Sequence, residues 1–492
     1  MATQPGQYVT YDSNLLPIFK TFYRNKPVES LFNRMSPVLK AIKWERIGGK
    51  TYNFAAQVGR GGGIASDFTV AVANSSSMSR NVEFSIPPGK LFACFQNNQL
   101  EIYGSENGEM AYVKAAVAKL HASVEGIRQA LAAAFYASGW GEVGYLPGLV
   151  ANAATTMFVA NDTAIKLDVG DIFDVSTAAN LLPGGTMDTG TGNAGYTVAT
   201  IAPTVSSGVL GYNVTFSPGV VNGAGWASGA AICRHGSGGN ASGTGNPASL
   251  LGLAAWIPAF FSRSGANWTT YIGTTFYGVN RAVNQDKLAG QYYQRQGTYG
   301  TGTFPYTGSG TYDRYIDAVT IGVRLARRGG CSNEDILIAI NDEDFFRVSA
   351  ELLAATTYMQ MVNTNNKQDS SHYQRGIESF NIDYSTSGTR NIFDDPYCPK
   401  GTCYVLDKDC VEFVVLSNPH VAVENGVAEN QPGVQPVEST GDFDKAFKLI
   451  IDDFLFNAPL TTSPDGPTML TAIGIYGNYV VHNPAHCAVV NF

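Results

Sequence analysis

The chain has 492 residues, a formal net charge of -8, 44% hydrophobic residues and only 15% charged ones. That apolar content supports a large core and excludes a disordered protein, and no apolar run approaches the ~20 residues of a membrane span. So few charges on so long a chain point to surface buried against other subunits, and length gives about three domains as a soft prior.

The first residues, MATQPGQYVTYDSN, lack the basic stretch and apolar run of a secretory signal. Residues 1–50 read as a basic N-terminal arm. Lys20, Arg24, Lys26, Arg34, Lys40, Lys43, Arg46 and Lys50 stand against Asp12, Glu29 and Glu45. Pro27 and Pro37 break the arm into short pieces, and one short helix fits 28–39. The arm is expected to extend and to pack on something outside its own core. Residues 51–104 read as an extended, two-stranded loop. GRGGG at 59–63 is a flexible turn. FTVAVANSSS, VEFSIPP and LFACFQ carry the β-branched and aromatic residues of strands, and Pro87-Pro88-Gly89 turns the chain.

The spacing over 109–138 predicts a long α-helix, within a segment bounded at 105–149. Met110, Val113, Val117, Leu120, Val124, Ile127, Leu131 and Phe135 recur at alternating steps of three and four, which is one helical stripe. Ala fills the gaps, Asn107 or Ser105 can cap the start, and Gly139 can end it. Gly126 is its weak point, at about 1 kcal/mol relative to Ala. A rod from 107 to 138 would be roughly 48 Å long. It is either the core helix of a large domain or a spine on which the chain hangs.

Residues 150–245 change character. They hold two basic residues, Lys166 and Arg234, with five Asp and no Glu. TMFVA, AIKLD, DIFDVS, GYTVATI, YNVTFSP and AAICR read as short strands of an inserted all-β module, barrel or sandwich. The Gly/Ser-rich stretch 236–245 reads as a flexible linker. In 246–425 a helix is expected over 312–328, with Ile316, Val319 and Val323 on one face and Arg327-Arg328 at its negative end. ILIAI reads as a buried strand, and Asn341 or Asp342 caps a following helix over 345–356. FNIDYS, CYVLD and VEFVVLS read as strands. The last segment, 426–492, begins acidic: 424–465 holds eight acids against Lys445 and Lys448. It closes on IGIYGNYVVHNPAHCAVVNF, expected as a strand pair.

No catalytic constellation is legible. GGKT at 48–51 ends like a phosphate-binding loop, but Trp44 stands where that motif needs Gly. GRGGG lacks the dinucleotide pattern. Cys398, Cys403 and Cys410 with His420 match no common zinc spacing and read as core cysteines. The seven cysteines, Cys94, Cys233, Cys331, Cys398, Cys403, Cys410 and Cys487, are odd in number and scattered, which fits reduced thiols made in a cytoplasm. The acids of NDED (341–344) could bind a cation, but a helix cap explains them better, and Asp394-Asp395-Pro396 reads as an ordinary turn before a strand, with a general acid/base pair as the alternative. His121 reads as a partly buried polar residue of the long helix. No catalytic, cofactor-binding or metal residue is assigned, and no enzyme activity is expected.

The order of parts resembles a tailed-bacteriophage major capsid protein of the HK-ninety-seven-like shell fold, which is shared with encapsulins. YGVNRAV (277–283) looks like that family's G-x-x-R segment. ILIAINDEDFFRVSAELLAAT resembles its strand, turn and helix, with Asn341-Asp342 in place of an Asn-Pro turn. DDPYCPKGTCYVLDKDCVEF resembles the late aspartate-proline turn leading into a strand, and IYGNYVVHNP its closing strand. The resemblance implies an α+β fold: arm, extended loop, peripheral domain with the spine helix and C-terminal strands, axial domain within 246–425, and the β module as an accessory insertion. It also implies pentamers and hexamers in an icosahedral shell around double-stranded DNA, bound without sequence specificity. Scaffolding and portal proteins are the implied partners, with decoration proteins a further candidate. No cofactor and no membrane are implied, and the location is the virion, after synthesis in the host cytoplasm. Some relatives join subunits through a loop lysine, and here no Lys lies between Lys50 and Lys90. The alternatives are an encapsulin-like cargo compartment, disfavoured by the large insertion, and a β-rich adhesive or carbohydrate-binding protein suggested by the Gly/Thr/Tyr-rich 265–312.

Overall fold

Five consecutive apolar residues, Ile336–Ile340, form a strand buried along its whole length. It needs cover on both faces, and a central place in a sheet supplies it. The structure is a computed structural model. It describes residues 36–47, 51–59, 64–74, 81–98, 115–176, 187–206, 209–223, 225–237, 249–259, 275–295, 315–332, 336–351, 379–383, 389–416, 456–457, 461–463 and 466–492. The chain divides into a smaller unit of Met1–Met35, Lys90–Leu131 and Leu416–Tyr476, and a larger one of Ser36–Gly89, Ala132–Val415 and Gly477–Phe492.

In the larger unit the buried strand lies in a six-stranded mixed sheet. The order is Gln291–Gln294, Ala488–Asn491, Thr402–Asp407, Ile336–Ile340, Thr389–Asp394, Ser379–Asp383. Two neighbouring pairs are parallel, 291–294 with 488–491 and 336–340 with 389–394, and the others are antiparallel. The helix Tyr315–Gly329 covers one face, with Val319, Val323 and Ala326 in one cluster with Ile338, Val405 and Val490. Gly322 lets it lie close, because a Cβ there would collide with Val490. Arg327 and Arg328 occupy its last turn, and Gly330 at φ 117 ends it. The next helix, 342–351, starts from Asn341, whose Oδ1 accepts from Glu343 N at 3.1 Å.

A second sheet places Val411–Leu416 between Lys43–Ile47 and the long strand Gly466–Val481. In the smaller unit, residues 466–476 of that strand pair with Phe456–Asn457, Thr461–Ser463 and the strand Gly89–Asn98. Phe92 meets Tyr476 there, with ring centroids 5.4 Å apart. The helix Ala115–Phe135 is described over 21 residues. Ile127 and Leu131 on its stripe are buried, as is Phe135. The expected start, 105–114, and the side chains of Leu120 and His121 lie outside the described residues.

Residues 142–234 supply a separate seven-stranded sheet, in the order Glu142–Tyr145, Ala231–Arg234, Ile172–Ser176, Tyr196–Ser206, Val209–Ser217, Thr156–Ala160, with Met187–Asp188 beside Ile172–Ser176. Its core is aromatic: Tyr196 stands 4.9 Å from Trp226, and Trp226 5.2 Å from Phe216. Asp188 Oδ2 accepts from the Trp226 indole at 2.8 Å. The sheet begins at Glu142 rather than 150, because Ala231–Arg234 has a free edge that Glu142–Tyr145 fills.

Four local expectations are corrected. FTVAVA is not a strand: Phe68–Ala73 is a short helix, capped by Asp67, which accepts from Thr69 N at 2.7 Å. Its β-branched residues favour a strand, but Asp67 satisfies the first helical amides. AIKLD is not a strand either. Asn161–Ala164 is a helical turn, after which Leu167 N donates to Ala164 O. The closing residues are not paired with each other: Gly466–Val481 and Ala488–Asn491 lie in different sheets, parted by the turn Pro484–His486. Finally, 36–47 packs within its own chain. Pro37–Ala41 is helical, Val38, Leu39 and Ile42 are buried, and Lys43–Ile47 joins the second sheet. The reason is in the sequence, since Pro37 favours a first helical turn and V-L-x-x-I is an apolar stripe. Residues 1–35, GRGGG from 60 onward and most of 424–465 lie outside the described residues.

Candidate assembly surface

The extended loop is anchored by aromatic packing and ends in uncovered apolar side chains. Tyr52–Gln57 pairs antiparallel with Asn81–Ile86, from Tyr52 opposite Ile86 to Gln57 opposite Asn81. One face of this ribbon is buried in the larger unit. Phe54 stacks on Phe84 at 5.1 Å, and Phe84 meets Trp256 at 5.5 Å. Lys287 Nζ donates to Val58 O at 2.6 Å. Beyond that anchor the segment 64–74 carries Ile64 at 81%, Phe68 at 83%, Val70 at 49% and Val72 at 52% exposure. The helix Phe68–Ala73 has no buried residue. Exposed apolar residues grouped in this way are a candidate surface for another chain.

The segment resembling G-x-x-R has a structural role. Tyr277 and Gly278 both take positive φ, 47° and 89°, in a tight turn between Thr275–Phe276 and Val279–Asn280. This places Arg281 in the interior. Its Nη1 donates to Ala255 O at 2.8 Å, and its guanidinium lies 3.9 Å from the Phe276 ring centroid. A buried charge needs such partners.

Three polar clusters join distant parts of the chain. Asp395 opens the expected turn, where Cys398 N donates to its carbonyl at 3.1 Å, but its side chain does more than turn the chain. It is fully buried, and its Oδ2 accepts from Ser36 Oγ and, at 2.8 Å, from Tyr136 Oη, while Oδ1 accepts from Tyr397 N at 3.0 Å. Burial raises its carboxyl pKa against the lowering effect of those donors. Glu412 accepts from Lys43 Nζ and meets His482 Nε2, each at 2.9 Å. Burial acts to raise Glu412, but hydrogen bonds from Lys43, His482 and Glu45 outweigh it and hold the group low. Glu45 is raised, first by its hydrogen bond with Glu412 and then by burial. The third cluster is Asp407, Cys410 and His486.

Three members of the set rejected as a zinc site are described. Cys398 and Cys403 are buried core thiols, Cys410 sits with Asp407 and His486 instead, and His420 lies outside the described residues. The six cysteines whose side chains are described are unbridged thiols. Among NDED, Asn341 Nδ2 donates to Cys398 O at 2.8 Å and Asp344 accepts from Gly401 N at 2.6 Å, so the cap also pins the later turn. Among the described residues, no helix is long and apolar enough to cross a membrane. Sequence reasoning missed the three polar clusters, because each joins residues tens to hundreds of positions apart.

No protein-family model matches the chain, and no curated protein matches it. Solved structures that it resembles include phage capsids and an encapsulin. The cyanophage A-1(L) capsid asymmetric unit has 13% identity and a TM-score of 0.49, with 95% of this chain and 96% of that one covered. Mycobacterium phage Adephagia has 8% identity and a TM-score of 0.36, with 98% of each chain covered. The SrpI encapsulin of Synechococcus elongatus PCC 7942 has 7% identity and a TM-score of 0.38, with 95% of this chain and 91% of that one covered.

Proposed function

We propose that this chain is the major capsid subunit of a tailed bacteriophage, a structural protein without enzymatic activity. It self-assembles as pentamers and hexamers into an icosahedral shell around double-stranded DNA. The observation that supports the reading is the anchored ribbon followed by the exposed apolar residues Ile64, Phe68 and Val70. A neighbouring copy is the natural cover. The overall charge of -8 suits a container, since a strongly basic lining would grip phosphates and resist packing. In this reading residues 142–234 are an accessory insertion of the shell subunit.

Electron microscopy of the expressed chain and of particles purified from an infected host tests this. Closed shells with pentameric and hexameric capsomers and DNA inside are expected. Shells that hold protein cargo and no DNA would point to a compartment instead, and a chain that stays monomeric at every concentration would refute the shell reading.

A further inference from the structure

Two short connections link the two six-stranded sheets, and they meet at one point. Thr402–Asp407 belongs to the mixed sheet and Val411–Leu416 to the other, so the turn 407–410 is the first connection. Gly466–Val481 and Ala488–Asn491 lie in those same two sheets, so 482–487 is the second. His482 N donates to Cys410 O at 2.9 Å, which ties the two connections together. At their meeting point Asp407, Cys410 and His486 converge, with one ligand atom from each within 4.8 Å of the others. Cys410 Sγ donates to Asp407 Oδ2 at 3.2 Å, His486 Nδ1 lies 2.8 Å from that oxygen, and Sγ and Nδ1 are 3.5 Å apart.

The surroundings hold the trio in place. Gly329 and Gly330 end the helix Tyr315–Gly329 against the Pro484–His486 turn. A Cβ on Gly329 would overlap Ala485 O, and one on Gly330 would lie 2.7 Å from His486 Nε2. Asp407 Oδ1 also accepts from Asp409 N at 3.1 Å, which fixes the carboxylate. Asp407 is buried, whereas Cys410 and His486 are half-buried, so the site has a protein side and a solvent side.

We propose that Asp407, Cys410 and His486 bind one divalent ion of the zinc class, with water as the fourth ligand. A mixed sulfur, nitrogen and oxygen set suits zinc, which takes Cys, His and carboxylate ligands in tetrahedral geometry. Bonds of about 2.0–2.3 Å put tetrahedral ligand atoms roughly 3.4–3.6 Å apart. The Sγ–Nδ1 spacing already fits, and the two spacings to Asp407 are hydrogen-bond lengths that open slightly once the bridging protons leave. Binding breaks the Cys410 S–H bond and forms a metal–sulfur bond, and that proton goes to solvent. The neutral His486 binds through Nδ1, the proton it shares there with Asp407 passing by way of solvent to Nε2, and Asp407 binds as its carboxylate, so one proton is released for each ion bound. The ion would clamp the two connections between the sheets, a structural role distinct from assembly.

Metal-stripped full-length protein titrated with cobalt(II), then zinc(II), tests this. One equivalent per chain should give the absorption of a thiolate–cobalt bond, zinc should displace it, and zinc should raise the melting temperature. The band should vanish in Cys410→Ser and in His486→Ala, and survive in Cys398→Ser, a buried thiol outside the site. Circular dichroism checks that each variant is folded, and Asp407→Asn supplies a second ligand test if His486→Ala is not. A wild-type chain without the band, or a band that survives Cys410→Ser, overturns the proposal and leaves a hydrogen-bonded trio only.

Discussion

Replacing Phe68 by Asp should separate folding from assembly. Phe68 is 83% exposed at the first position of the helix Phe68–Ala73, beside the capping Asp67. An acid in a first helical turn suits the helix dipole, and exposed substitutions shift stability by about 0.5 kcal/mol or less. The isolated subunit should therefore melt as before. If a neighbour covers the side chain, its burial contributes about 2 kcal/mol per contact, roughly thirty-fold in association. Burying the new carboxylate without a partner weakens the contact further. Every subunit makes this contact, so the loss repeats around a shell. The assay pairs a thermal melt of the subunit with sedimentation and electron microscopy over a concentration series. Normal shells at unchanged concentration would refute the reasoning, and so would a collapsed melting temperature, because the side chain would then be part of the subunit core.

Asp395→Ala strands the donors Ser36 Oγ, Tyr136 Oη and Tyr397 N, and should cost about 3 kcal/mol in a denaturant melt, with Asp395→Asn costing less than half as much. Equal losses in the two variants would mean that packing, not hydrogen bonding, holds the site. Deleting 1–42 removes Ser36, Val38, Leu39 and Ile42 and should cost the subunit several kcal/mol against the full chain in a denaturant melt. Identical melts would place the buried helix outside the stability core. Glu412 is held low, so its contribution is present above the ordinary carboxylate value of about 4.3 and fades as pH falls through its folded value. Glu45 is raised and acts in the opposite sense, so the pair titrates jointly. The stability gap between wild type and Glu412→Gln should be wide at neutral pH and narrow progressively as pH falls below the ordinary carboxylate value; a gap constant with pH would remove the charge from the account. With no Lys between Lys50 and Lys90, mature particles boiled in denaturant and reductant should run as one band near 52.5 kDa, and a ladder of multimers would overturn the non-covalent shell.

Periodicity was legible wherever it was long. The stripe through Ile127, Leu131 and Phe135, the helix ending at Arg327-Arg328, and the strand Ile336–Ile340 all follow from spacing and terminal residues. Short segments misled because composition alone could not say what would lie beside them. Phe68–Ala73 has β-branched residues but no neighbouring strand among the described residues. Residues 36–47 carry Lys40, Lys43, Glu45 and Arg46 of the arm's charges, yet Lys43 is paired with Glu412, 369 positions later. The turn at Asp394-Asp395-Pro396 looked ordinary because nothing local marks Asp395 as an acceptor for Ser36 and Tyr136.

The illegible part has a common physical cause. Apolar burial is non-directional, so a pattern of Val, Ile and Leu fixes which faces meet but not the register in which distant segments meet. Register across such distances needs directional groups. Here Ser36, Tyr136 and Asp395 meet at one point, Lys43, Glu412 and His482 at a second, and Asp407, Cys410 and His486 at a third. Each draws together two or three chain segments whose order no local window contains. A buried ionic group is weak evidence for stability, and fixing register is among its best-attested uses. A subunit that must present the same edges to every neighbour depends on such fixed placement, since a small shift within the subunit is repeated at every contact around a closed shell.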